Sequence, residues 1–140
     1  MSARFFLDTN LFVYSLDASA ASKARRSTQL IREAIATRNG IVSCQVVQEF
    51  FNVAFRRFTP PMTIVEAEQY LATVFRPLLA IHSSHALYAE ALHLRNRYRL
   101  PWYDSLIVSG AIQAECTVLY TEDMQNGQKF GELRIENPFS

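Results

Sequence analysis

The chain has 140 residues, 49% of them hydrophobic, and a formal net charge of +1, enough apolar material for one buried core and one domain. No apolar run approaches the roughly 20 residues of a membrane span, and the opening MSARFFLDTN lacks the long apolar stretch and small-residue cleavage site of a secretory signal, so a cytoplasmic protein is expected. Cys44 and Cys116 stand alone with no CxxC pair; neither a disulfide framework nor a zinc site is indicated, and both read as small core residues.

Arg4 to Leu7 reads as a short buried strand, followed by the turn Asp8-Thr9-Asn10 into the apolar helical stretch Leu11 to Leu16. Ser22 to Thr37 reads as a helix with Leu30, Ile31, Ala34 and Ile35 on one face, and Asn39-Gly40 as its stop before the strand Ile41 to Ser43. Gln45 to Phe58 carries Val46, Val47, Phe50, Phe51, Ala54 and Phe58 at helical spacing until Pro60-Pro61 ends it. Thr63 with Glu66 forms a capping box opening a helix to Phe75, and Pro77 separates that helix from a strand over Leu78 to His82. Ser84 to Tyr98 is helical, Pro101 breaks it, and Tyr103 to Glu115 is a strongly apolar helix. Thr117 to Thr121 is a strand, Asn126-Gly127 a turn, and Arg134 to Glu136 a short edge strand.

Short strands rich in Val, Ile, Leu and Phe, alternating with helices, predict an α/β domain with a parallel sheet covered on both faces. Ligands in such sheets bind beyond the carboxyl ends of the strands. Of the 14 basic residues only Lys23 and Lys129 are lysine. They cluster at Lys23, Arg25, Arg26 and Arg32, at Arg56 and Arg57, and at Arg95, Arg97 and Arg99, which fits solvated helix faces or phosphate contacts equally.

The acids are more informative. Asp8 directly follows the Phe5-Phe6-Leu7 strand, and Asp123 follows Val118 to Thr121 in the same way. Glu49 is the only charge in Val46 to Ala54, and Asp104 the only charge before Glu115 in its helix. Each has an ordinary structural reading: Asp8 a helix cap, Asp104 an N-cap or first-turn residue, Asp123 a turn organiser, Glu49 a solvent-facing side chain. Together, however, the topology sets all four at one edge of the sheet. Convergent carboxylates in apolar surroundings need a compensating cation. Oxygen ligands without His or Cys suit Mg²⁺ or Mn²⁺.

The Asp8-Thr9-Asn10 opening, SCQVVQE ending at Glu49, YDSLIVSGAI with Asp104 and LYTEDMQNGQ with Asp123 resemble, in order and across essentially the whole chain, the four acidic motifs of PIN-domain ribonucleases. Length and motif style are similar to those of VapC toxins of bacterial toxin-antitoxin pairs. The resemblance implies a PIN-like α/β/α sandwich with a central, mainly parallel sheet and Mg²⁺-dependent cleavage of single-stranded or looped RNA. It also implies frequent homodimers and inhibition by a small cognate antitoxin. Asp8, Glu49, Asp104 and Asp123 become the catalytic, metal-holding acids, with Thr9, Asn10 and Thr121 positioning them; Ser43 and Gln45 fall within the second motif. Glu122 competes with Asp123 for the last place, and the motif favours Asp123. The expected reaction is phosphodiester hydrolysis by a metal-activated water, with one or two ions. Tyr14, Trp102 and Tyr103 are available either to unstacked bases or to the core. Two rivals are a non-catalytic RNA-binding or protein-interaction domain of the same shape and an aspartate-based phosphatase. The phosphatase is disfavoured because Asn10 stands where its second Asp belongs.

Overall fold

The structure, a computed structural model, describes residues 3–140, so the first two residues of the MSARFFLDTN opening lie outside it. Strands β1 (Arg4–Leu7), β2 (Gly40–Ser43), β3 (Leu79–Ile81), β4 (Cys116–Tyr120), β5 (Lys129–Phe130) and β6 (Leu133–Glu136) form one sheet in the order β3-β2-β1-β4-β6-β5. Every neighbouring pair is parallel except the antiparallel β5–β6. β6 is therefore an interior strand, not the edge strand its length and position at the chain's end suggest; the two-residue β5 takes the edge beside it.

The helices are α1 (Thr9–Ser15), α2 (Ala21–Thr37), α3 (Cys44–Arg56), α4 (Ile64–Tyr70), α5 (Arg76–Leu78), α6 (His85–Tyr98) and α7 (Trp102–Gln113). From β1 the chain crosses to β2 on one side, and from β3 it returns over the sheet to β4 on the other. Right-handed crossovers running in opposite directions place α1 with α2 and α6 with α7 on opposite faces, giving the α/β/α sandwich. Both strand faces are then covered, which is why β2 is buried at all four positions and why the strands read as continuous apolar runs. Phe6, Phe12, Phe50 and Phe75 are fully buried, and Phe50 stacks on Tyr70 with ring centroids 4.6 Å apart.

Two local expectations are corrected. Helix α2 ends on Arg38, in left-handed conformation at φ 62°, rather than at Gly40. Gly40 belongs to β2 and is there for closeness: a Cβ on it would stand 2.0 Å from Ala34 Cβ. Pro77 does not separate helix from strand. A π turn over Leu71–Phe75 joins α4 to α5, the proline lies in the first turn of α5, and the wider turn accommodates its missing N–H. Among the described residues no helix is long and apolar enough to cross a membrane.

Candidate metal centre

β1 has β2 on one side and β4 on the other, so the strand order reverses direction here and a crevice opens beyond the carboxyl ends of the strands. Leu7 pairs with Tyr120, which puts the next residues, Asp8 and Thr121, side by side at the mouth of that crevice. α3 begins directly after β2, and Glu49 lies in its second turn. α7 starts after Pro101, with Asp104 in its first turn. Asp8, Glu49, Asp104 and Asp123 all line one cleft of about 170 Å³.

The segment Asp8-Thr9-Asn10 organises three of the four carboxylates. Asp8 is the N-cap of α1 and its Oδ1 accepts from the Thr9 backbone N–H at 2.7 Å. Its Oδ2 accepts from the Thr121 hydroxyl at 2.8 Å, and that hydroxyl oxygen accepts in turn from the Asp123 backbone N–H at 3.1 Å. The Thr9 hydroxyl donates to Glu49 Oε1 at 2.8 Å, and Asn10 Nδ2 donates to Asp123 Oδ2 at 3.2 Å. Thr121 is 1% exposed, so it can serve no purpose in solvent. Asp8 thus takes both of the roles available to it, helix cap and cleft carboxylate.

Burial pushes the Asp8 carboxyl up to about 7, against the lowering effect of its hydrogen bonds with Thr121 and Thr9; the charges of Asp123 and Glu49 add to the rise. Asp104 is raised by burial and then by Asp123 and Glu49, and among the described residues no hydrogen bond lowers it. Pro101, not Asp104, is the N-cap of α7. Asp123 is raised by burial and by neighbouring Glu122. Glu122 itself turns away: it pairs with Lys23 Nζ at 3.0 Å and accepts from the Tyr14 hydroxyl. Of the two adjacent acids, Asp123 lines the cleft and Glu122 is not among its lining residues. Tyr14, held by Glu122, covered by Lys23 at 4.6 Å and packed edge-on against Phe139, is occupied in this contact and is not free to hold a base.

The residues lining the cleft include no Lys, Arg or His, and the ion pairs among the described residues, Lys23–Glu122 and Arg134–Glu136, involve none of the four acids. Carboxylates gathered with no Lys, Arg or His among the cleft's lining residues, Asp8 and Asp104 raised by burial and by the charges of Asp123 and Glu49, make an all-oxygen donor set that fits Mg²⁺ or Mn²⁺. Among the described residues no three acid, His or Cys side chains are already gathered on one point; Glu49 and Asp123 are instead turned onto Thr9 and Asn10. Three further wall residues follow from helical spacing. Gln45, four before Glu49, donates to the Tyr103 carbonyl at 3.2 Å and joins the starts of α3 and α7. Val53 is four after Glu49 and Ile107 three after Asp104, and both line the cleft.

The family model described as the PIN domain matches residues 5–127. The chain belongs to the PIN domain family. The PIN fold accounts for similarity to solved structures at low sequence identity. A toxin-antitoxin complex from Klebsiella pneumoniae is similar at TM-score 0.67 and 18% identity, over 98% of each chain. FitAcB from Neisseria gonorrhoeae is similar at TM-score 0.70 and 17% identity, over 96% of this chain and 98% of that one. VapBC2 from Rickettsia felis, bound to a promoter DNA fragment, is similar at TM-score 0.61 and 21% identity, over 95% and 97%. No curated protein matches the chain significantly.

Proposed function

We propose that this PIN domain is an Mg²⁺-dependent endoribonuclease and the toxin of a toxin-antitoxin pair, acting in the cytoplasm. The observation that carries the reading is the cleft itself: four carboxylates on four separate segments face it with no basic side chain among its lining residues. A scaffold has no use for four acids gathered without a compensating base, whereas a phosphodiesterase does.

Asp8 and Asp104 would be the principal ligands of Mg²⁺ or Mn²⁺, with Glu49 and Asp123 holding a second ion or orienting water. A bound ion there supplies activation of water and neutralisation of phosphate charge. The protein's part is positional. Thr121 and the Thr9 N–H fix both oxygens of Asp8, so its lone pairs are aimed before substrate arrives, and Asp104, with no hydrogen bond among the described residues, is the carboxylate most able to adjust. The hydrogen bonds from Thr9 and Asn10 orient the carboxylates of Glu49 and Asp123. Arg57, just past the end of α3, lines a groove of about 590 Å³ that shares Val53 with the cleft and is placed for a flanking phosphate of RNA.

The toxin assignment draws on the solved toxin-antitoxin complexes of the same fold. The partner would be a small cognate antitoxin that places a basic side chain among the acids, and the toxin would form a homodimer. The test is cleavage of a mixed RNA pool by the purified chain in Mg²⁺, in EDTA, and after co-purification with the small protein encoded beside it. Cleavage in Mg²⁺ alone, suppressed in the complex, is expected. RNA binding without metal-dependent cleavage would replace the nuclease by a binding domain, and a complex that cuts as fast as the free chain would remove the toxin assignment.

A further inference from the structure

Between Thr121 and Gly127 the chain belongs to no strand or helix, yet this stretch carries Asp123, one of the four cleft acids. Side chains must therefore fix here what a backbone ladder fixes elsewhere. Helix α1 supplies two of them. Asn10 and Tyr14 are four residues apart and so lie on one face of the helix. They grip consecutive residues of the loop: Asn10 Nδ2 donates to Asp123 Oδ2 at 3.2 Å, and the Tyr14 hydroxyl donates to Glu122 Oε1.

Lys23, from α2, closes the grip on Glu122. Its Nζ lies 3.0 Å from Glu122 Oε2, 3.3 Å from the Tyr14 oxygen and 4.6 Å from the centre of the Tyr14 ring. Phe139 packs edge-on against Tyr14 and also meets the Lys23 ammonium, at 5.3 Å. Each Glu122 oxygen thus has its own donor, which fixes the carboxylate in direction as well as in place. The Lys23 side chain is 40% exposed, and an ion pair so open to water contributes little to stability; what it imposes is orientation.

That orientation acts on the next residue. Glu122 lies between Thr121, whose hydroxyl donates to Asp8 Oδ2 at 2.8 Å, and Asp123, whose N–H donates to the same hydroxyl oxygen at 3.1 Å. Anchoring Glu122 outside the cleft fixes the residue that joins two members of the acid centre. We propose that Tyr14 and Lys23 are positioning residues of the metal centre: through Glu122 they hold the loop so that Asp123, and not Glu122, faces a divalent cation. This rests on the metal-dependent reading of the cleft and adds two residues, neither of which lines it, on which cation affinity depends.

The test is Mn²⁺ binding to the EDTA-stripped protein without substrate, read from the EPR signal of the free ion, with melting of each variant alongside. Tyr14→Phe keeps the ring and changes no charge. It should weaken Mn²⁺ binding about five-fold or more while melting within a few degrees of the parent. Lys23→Met should also weaken binding, although loss of a positive charge near the cleft would by attraction alone strengthen it. Lys23→Arg, which keeps the charge and its donors, should recover most of what Lys23→Met loses. Because the effect runs through Asp123, adding Tyr14→Phe to Asp123→Asn, in which Asp8, Glu49 and Asp104 remain, should cost little beyond Asp123→Asn alone. Binding by Tyr14→Phe or Lys23→Met as tight as the parent's or tighter would overturn the positioning role and leave the metal centre standing. So would a loss that is undiminished in the Asp123→Asn background. A parent that takes up no Mn²⁺ would remove the metal centre and the positioning role with it.

Discussion

Replacing Asp8 with Asn should make the metal-free protein more stable at pH 8, less so at pH 5, and leave it nearly unchanged at pH 4. Asn can still accept from the Thr9 N–H through its carbonyl, and its amide can donate to the Thr121 hydroxyl, so the cap of α1 survives. What disappears is a charge the fold disfavours. Burial raises the Asp8 carboxyl from 3.8 to about 7, and at 1.36 kcal/mol per pKa unit the ceiling on the cost of ionising it in the folded state is roughly 4 kcal/mol. Relaxation and water at the cleft mouth reduce this to about 1–3 kcal/mol, or on the order of 3 °C of melting temperature per kcal/mol for a chain of this length. The folded protein binds the Asp8 proton more tightly than the unfolded chain does. Its contribution to stability is therefore fully present below about pH 4 and is lost as pH rises through about 7. Melting of parent and Asp8→Asn in EDTA from pH 4 to pH 8 measures this. A variant no more stable than the parent at pH 8, or a difference that does not change with pH, would refute the reasoning that Asp8 is an uncompensated buried carboxylate.

Three further outcomes are expected. Mg²⁺ or Mn²⁺ at millimolar concentration should raise the melting temperature of the parent more than matched ionic strength of sodium does, since a ligand of the folded state alone stabilises it by mass action; equal shifts would remove the specific site. Thr121→Val takes away the hydroxyl that holds Asp8 and the Asp123 N–H, and should raise the Mg²⁺ concentration needed for half-maximal cleavage by about 10- to 100-fold; an unchanged Mg²⁺ dependence would make the contact merely structural. Gly40→Ala should destabilise the domain by about 1–3 kcal/mol in urea titrations, because its Cβ would collide with Ala34.

The elements that position the acids were legible because each is announced locally. Phe5-Phe6-Leu7 is apolar on both faces and ends at Asp8, and α3 repeats Val46, Phe50 and Ala54 on a buried face. An acid interrupting such a pattern stands out. What the local pattern could not fix depends on distant partners. The interior position of β6 is set by strand order, to which Arg134 to Glu136 contribute no distinguishing feature. Asn39-Gly40 looks like a helix stop, yet the glycine answers to Ala34 across a tight approach and Arg38 takes the left-handed turn. Glu122 and Asp123 are separated only by Lys23 and Tyr14, about a hundred residues earlier in the chain, which claim the first.

The most direct test of the four-acid centre is cleavage of one RNA pool by the parent and by Asp104→Asn over a series of Mg²⁺ concentrations, starting from protein stripped with EDTA. Asp104 lies in the first turn of α7 with no hydrogen bond to its carboxylate among the described residues, so the substitution loses about 0.3–1 kcal/mol of helix-dipole interaction and relieves a like-charge repulsion. The folds should melt within a few degrees of one another. The account predicts that the parent cuts RNA only when Mg²⁺ is restored, and that Asp104→Asn cuts at least about 100-fold more slowly at every concentration. Equal cleavage in EDTA, or full activity in Asp104→Asn, would contradict it.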